Sequence, residues 1–109
     1  SRTGSNRHDN GYGADVVLYK DGFQGRELSS RNADDLAIMV AFMKAAKAAG
    51  ATAIGQGNNY MGDTGIHVDI ALVGQSSGNL TKISSSTFWG GKSAKRALAP
   101  AYLKDIMVA

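Results

Sequence analysis

Ile66-His67-Val68-Asp69-Ile70-Ala71-Leu72-Val73 is the stretch whose reading decides the fold. It reads as a strand, because its alternation puts His67, Asp69 and Ala71 on one face and Val68, Ile70 and Leu72 on the other. Upstream lies a long Gly- and Asn-rich loop from Gly55 to Gly65, and before it a short strand candidate, Thr52-Ala53-Ile54. Residues 33–49 read as a helix. Asn32 is a suitable N-cap, and Asp34 and Asp35 fall in the first turn, where the helix dipole favours negative charge. Leu36, Met39, Val40 and Met43 keep helical spacing and read as core, while Gly50 stands where a C′ glycine belongs. Residues 14–19, Ala-Asp-Val-Val-Leu-Tyr, read as a strand closed by the Lys20-Asp21-Gly22 turn signal. Residues 1–13 read as a loop. Downstream, residues 74–87 are Ser/Gly-rich, a loop or irregular hairpin, and a last helix is expected from about Pro100 to Met107, with Pro100 at N1. The order strand, helix, strand, strand, helix predicts a small single α+β domain with a mostly antiparallel sheet and flanking helices.

Composition bounds the chemistry. A chain of 109 residues fits one domain with one modest core, and its 43% apolar content is that of a folded chain. There are no cysteines, so disulfides and thiolate metal sites are excluded and any metal must be held by His and carboxylates. The net charge of +3 fits an anionic polymer partner, but it fits an ordinary solvated surface better. No basic stripe with interleaved aromatics points to nucleic acid. No apolar run approaches the roughly 18 residues of a membrane span. Residue 1 falls within a loop-like stretch, as expected of a domain taken from a longer chain that carries any targeting signal elsewhere.

The two histidines stand in informative places. His8 lies in a Gly-rich loop, and Asp15 follows seven positions later at the start of a strand; Gly11 and Gly13 give the backbone freedom to bring both side chains to one point. His67 comes from a second strand. Two imidazoles and a carboxylate make a three-ligand zinc set with a fourth position free for water. Zinc in such a site polarises a carbonyl and lowers the pKa of bound water to about 7. Two histidines and an aspartate also occur without any metal, so these residues alone carry a modest signal.

The wider pattern is more specific. Residues Ser5-Asn6-Arg7-His8-Asp9-Asn10-Gly11-Tyr12-Gly13-Ala14-Asp15 resemble the first zinc motif of the D-Ala-D-Ala carboxypeptidase family, which is grouped with lysostaphin-type endopeptidases and the hedgehog signalling domain. His8, Gly11 and Asp15 match in register, whereas Gly13 stands where the family usually has Ala and Ala14 comes one position late. Ile54-Gly55 and His67-Val68-Asp69 have the shape of the second motif. Phe88-Trp89-Gly90-Gly91 resembles the segment carrying the Trp that follows it. The likeness spans residues 2–91. Phage and prophage members share the look of Arg2-Thr3-Gly4-Ser5, Ala49-Gly50-Ala51-Thr52 and Tyr60-Met61-Gly62.

The resemblance implies a hedgehog/D,D-peptidase-like fold and a zinc metallopeptidase that hydrolyses peptidoglycan stem peptides or their cross-links, with His8, Asp15 and His67 on the metal. It places such a protein in a phage virion or tail, or in the bacterial periplasm or cell wall, with other tail or lysis components as possible partners. One departure bears on catalysis. Where branches of the family carry a Glu or His as general base just before the second zinc His, this chain has Thr64 and Gly65. Asp63 is the nearest carboxylate and the expected base; Asp69, which shares His67's face, is the other candidate and reads at least as well as the partner that orients the His67 imidazole. Arg2 could bind a substrate carboxylate, and Arg7 reads better as a surface charge. Ser5 could hold the motif loop or contact substrate. Tyr60 could donate to a developing oxyanion or simply pack, and Trp89 could line the groove or close the core. The alternative to an enzyme is a non-catalytic wall-binding or structural module that keeps fold and metal without a working base.

Overall fold

The computed structural model describes residues 13–22, 25–69, 87–92 and 94–108. In chain order the elements are β1 (Gly13–Val17), α1 (Ala33–Ala48), β2 (Ala53–Gly55), β3 (Gly65–Asp69), β4 (Thr87–Trp89) and α2 (Ala101–Val108), with 3₁₀ turns at Met61–Asp63 and Arg96–Leu98. The sheet runs β1-β3-β2-β4. β3 pairs antiparallel with both β1 and β2, and β4 lies parallel to β2. The fold is therefore α+β with a mostly antiparallel sheet, as the element order implies.

Register divides the sheet into an apolar and a polar face. Ala14, Val68, Ile54 and Phe88 form one continuous rung across the four strands. Ile54, Ile66 and Phe88 join Met39 and Met43 of α1 and Leu103, Ile106 and Met107 of α2 in the core, with Val16, Val40 and Val68 packed against it. The rungs on either side are Asp15–His67–Gly55–Trp89 and Gly13–Asp69–Ala53–Thr87. Because successive residues of a strand point to opposite faces, these two rungs share the face turned away from the helices.

Both ends of α1 carry the capping expected of them. The Asn32 side chain accepts from the Asp35 amide at 3.0 Å. At the other end the Ala51 amide donates to the Ala46 carbonyl and the Gly50 amide to that of Lys47, the paired bonds of a Schellman motif. That motif needs a left-handed residue at C′, which Gly50 supplies with φ of 115°. Asp35 does more than answer the dipole. Its buried carboxylate is gripped in bidentate fashion by Arg26, at 2.5 and 2.9 Å, and accepts the Ser29 amide at 3.2 Å. The Arg26 hydrogen bonds hold this carboxyl below its ordinary range.

Several boundaries differ from expectation. β1 ends at Val17, and Tyr19 lies beyond it in an isolated bridge to Glu27. The described part of β3 ends at Asp69, since Ile70–Val73 lie outside the described residues. Pro100 precedes α2 instead of occupying N1, because its carbonyl accepts the first helical amides, from Leu103 and Lys104. β4 was not expected: Thr-Phe-Trp is too short to show an alternation. Among the described residues no helix is long and apolar enough to cross a membrane.

Candidate functional site

The polar face of the sheet gathers the chemistry. Asp15 and His67 are direct cross-strand partners on β1 and β3. Their side chains meet, with Asp15 Oδ1 at 3.2 Å from His67 Nδ1. On the other side of the ring, Asp69 Oδ2 stands 3.5 Å from Nε2, at the outer limit of a hydrogen bond. The imidazole is buried, 4% exposed, whereas the Asp15 side chain is 46% exposed and opens the pair to solvent. Asp69 is fully buried on the adjacent rung of the same face.

Trp89 completes the rung. Its ring centroid is 5.0 Å from that of His67, with the planes tilted by 50°. Gly55, between them in register, makes this approach possible: a Cβ there would fall 2.3 Å from Trp89 Nε1 and 2.5 Å from Cε2. The indole therefore lies over a glycine and donates from Nε1 to the Tyr60 hydroxyl at 2.8 Å. Tyr60 is half-buried; burial raises its pKa above the ordinary phenol value, and the Asp15 charge adds to the rise.

Asp63 has a different setting. Its Oδ2 accepts from Arg31 Nε at 2.6 Å and its Oδ1 from the Asn59 amide at 2.5 Å. The Arg31 hydrogen bond, helped by that amide, holds its carboxyl below the usual range. Arg31 also donates to Asn59 Oδ1, and the Ser30 amide donates to the Asp63 carbonyl. The loop carrying Tyr60 is thus clasped to the segment before α1.

Arg2, Ser5, Arg7 and His8 lie outside the described residues, so two of the three expected metal ligands are seen. Among the described residues no group of three or more His, Asp or Glu side chains is arranged to hold a metal. The donor set of the visible pair nevertheless fits zinc. Tetrahedral bonds of about 2.0–2.2 Å put neighbouring ligand atoms roughly 3.3–3.6 Å apart. The 3.2 Å between His67 Nδ1 and Asp15 Oδ1 is close to that edge. Asp69 stands at the remaining ring nitrogen, where it would fix the tautomer of the imidazole if His67 held a metal.

Sequence reasoning names Asp15, His67, Asp69, Tyr60 and Trp89, and the structure brings all five together. Asp63, the expected base, is engaged by Arg31 and the Asn59 amide. The seat at Gly55 and the clasp residues Arg31 and Asn59 cannot be read from the sequence alone. Ile54-Gly55 was visible as part of a motif, but what the glycine does depends on register. Comparison with protein-family models, with curated proteins and with solved structures finds no match for this chain.

Proposed function

We propose that this chain is a zinc-dependent peptidoglycan peptidase that hydrolyses stem-peptide or cross-link amide bonds. The observation that carries the reading is the Asp15–His67 pair, a carboxylate and an imidazole at ligand-edge spacing on one solvent-open rung, backed by Asp69. Asp15, His67 and, from outside the described residues, His8 would hold the ion. Zinc bound there would supply Lewis acidity toward the scissile carbonyl and acidify the attacking water. Asp69, facing Nε2, would keep the proton there and leave the Nδ1 lone pair for the ion. The indole of Trp89 walls one side of the ring and keeps water from it.

Asp63, the expected base, is paired with Arg31, whose hydrogen bond holds its carboxyl below the usual range and so makes it a weaker base. That engagement is the observation favouring the second reading, a wall-binding module without turnover. The test is incubation of the purified domain with peptidoglycan, with and without a chelator, followed by mass spectrometry of the soluble fragments. The peptidase reading expects new amino and carboxyl termini that vanish with the chelator. Retention on the wall with no fragment released would select the binding module instead.

A further inference from the structure

We propose that Tyr60 is a catalytic residue, its hydroxyl donating a hydrogen bond to the scissile carbonyl oxygen as that atom gains negative charge. The inference rests on the peptidase reading. Hydrolysis adds the oxygen of water to the carbonyl carbon, moves an electron pair onto the carbonyl oxygen, and then breaks the C–N bond as the amine leaves with a proton from that water. A fixed donor aimed at the carbonyl oxygen lowers the barrier only if its own proton is uncommitted.

The structure meets that condition at Tyr60. Trp89 Nε1 can only donate, so the 2.8 Å contact makes the Tyr60 oxygen the acceptor and leaves its O–H free to donate elsewhere. Among the described residues no acceptor takes that proton. The indole that anchors the hydroxyl is the one packed on His67, over Gly55, so the phenol is tied to the face that carries the Asp15–His67 pair. The backbone around it is held at a cost. Asn59, Met61 and Asp63, all non-glycine, have φ of 63°, 54° and 67°. Such left-handed residues persist where surrounding contacts over-determine them, and they cluster at functional sites. Here the contacts are those of Arg31 and Asp63. The clasp fixes the loop, and the loop and the indole together fix the phenol.

The experiment is isothermal titration of the zinc-loaded protein with a D-Ala-D-Ala phosphinate, whose tetrahedral oxygens imitate the charged carbonyl oxygen, alongside zinc titration of the same variants. Tyr60→Phe is expected to weaken phosphinate binding about 10- to 100-fold and to cut kcat by about 10²–10³, the usual effect of removing one oxyanion donor, with zinc affinity unchanged. Trp89→Phe keeps an aromatic wall but loses the indole donor. It is expected to weaken phosphinate binding by a smaller factor, and it decides the matter if Tyr60→Phe does not fold. Wild-type phosphinate affinity in Tyr60→Phe, or in Trp89→Phe when only that variant folds, would overturn the role of Tyr60 and leave the peptidase reading standing. A wild-type domain that binds zinc but no phosphinate would overturn the peptidase reading and this assignment with it.

Discussion

At position 55 a missing methyl group decides what stands beside His67. Trp89 occupies the space a Cβ would fill, so Gly55→Ala must push the indole off the rung. Overpacking of this kind costs about 1–3 kcal/mol. A lowered denaturation midpoint together with a shift in tryptophan emission is expected, and an unshifted emission would mean that Trp89 is not seated there. Asp69→Asn tests a different contact. If Asp69 orients the imidazole, zinc affinity should fall by about 10- to 100-fold in a calorimetric titration, while the fold survives. The shared face of His67 and Asp69 was legible because a strand's period of two sets it whatever the rest of the chain does. The seat at Gly55 and the Trp89–Tyr60 hydrogen bond were not, since they depend on which residue of β2 lies opposite which residue of β4, and nothing local encodes that register.

At the scale of elements, α1 was legible at both ends because capping is local chemistry: Asn32 and Gly50 do what their side chains, or lack of one, dictate. β4 was hidden because three residues carry no period and its pairing with β2 is long-range. The clasp partners of Asp35 and Asp63, Arg26 and Arg31, lie too far away in sequence to be read from spacing. Both carboxyls are held below their ordinary range by these arginines. A depressed folded-state pKa contributes stability that is fully present above the unfolded value, about 3.9, and is lost as pH falls through the folded value. Urea midpoints should therefore drop as pH falls below about 3.9, the ordinary aspartate value, and Asp35→Asn should be less stable at neutral pH with a flatter acid limb. Parallel acid limbs in wild type and variant would remove Asp35 from the explanation. Asp63→Asn is expected to keep zinc binding and lose activity because the Tyr60 loop loosens. A brace of this kind predicts faster amide exchange at residues 58–63, whereas a pure base would lose turnover with exchange unchanged.

For the whole molecule, the division of labour is between two faces of one sheet. The helices cover the apolar face, and the core they close fixes the register that aligns Asp15, His67, Gly55 and Trp89 on the other. The α+β class followed from the order of elements, while the strand order β1-β3-β2-β4 came only from the structure. The central claim is that this rung is part of a metal centre, and the chain carries its own reporter, a single tryptophan 5.0 Å from the imidazole in question. The most direct measurement is a titration of the metal-free protein with zinc, followed by Trp89 fluorescence. A change that saturates at one zinc per chain, and is lost in His67→Ala and Asp15→Ala, is the expected result. An emission unmoved by zinc, or moved equally in His67→Ala, would contradict the account.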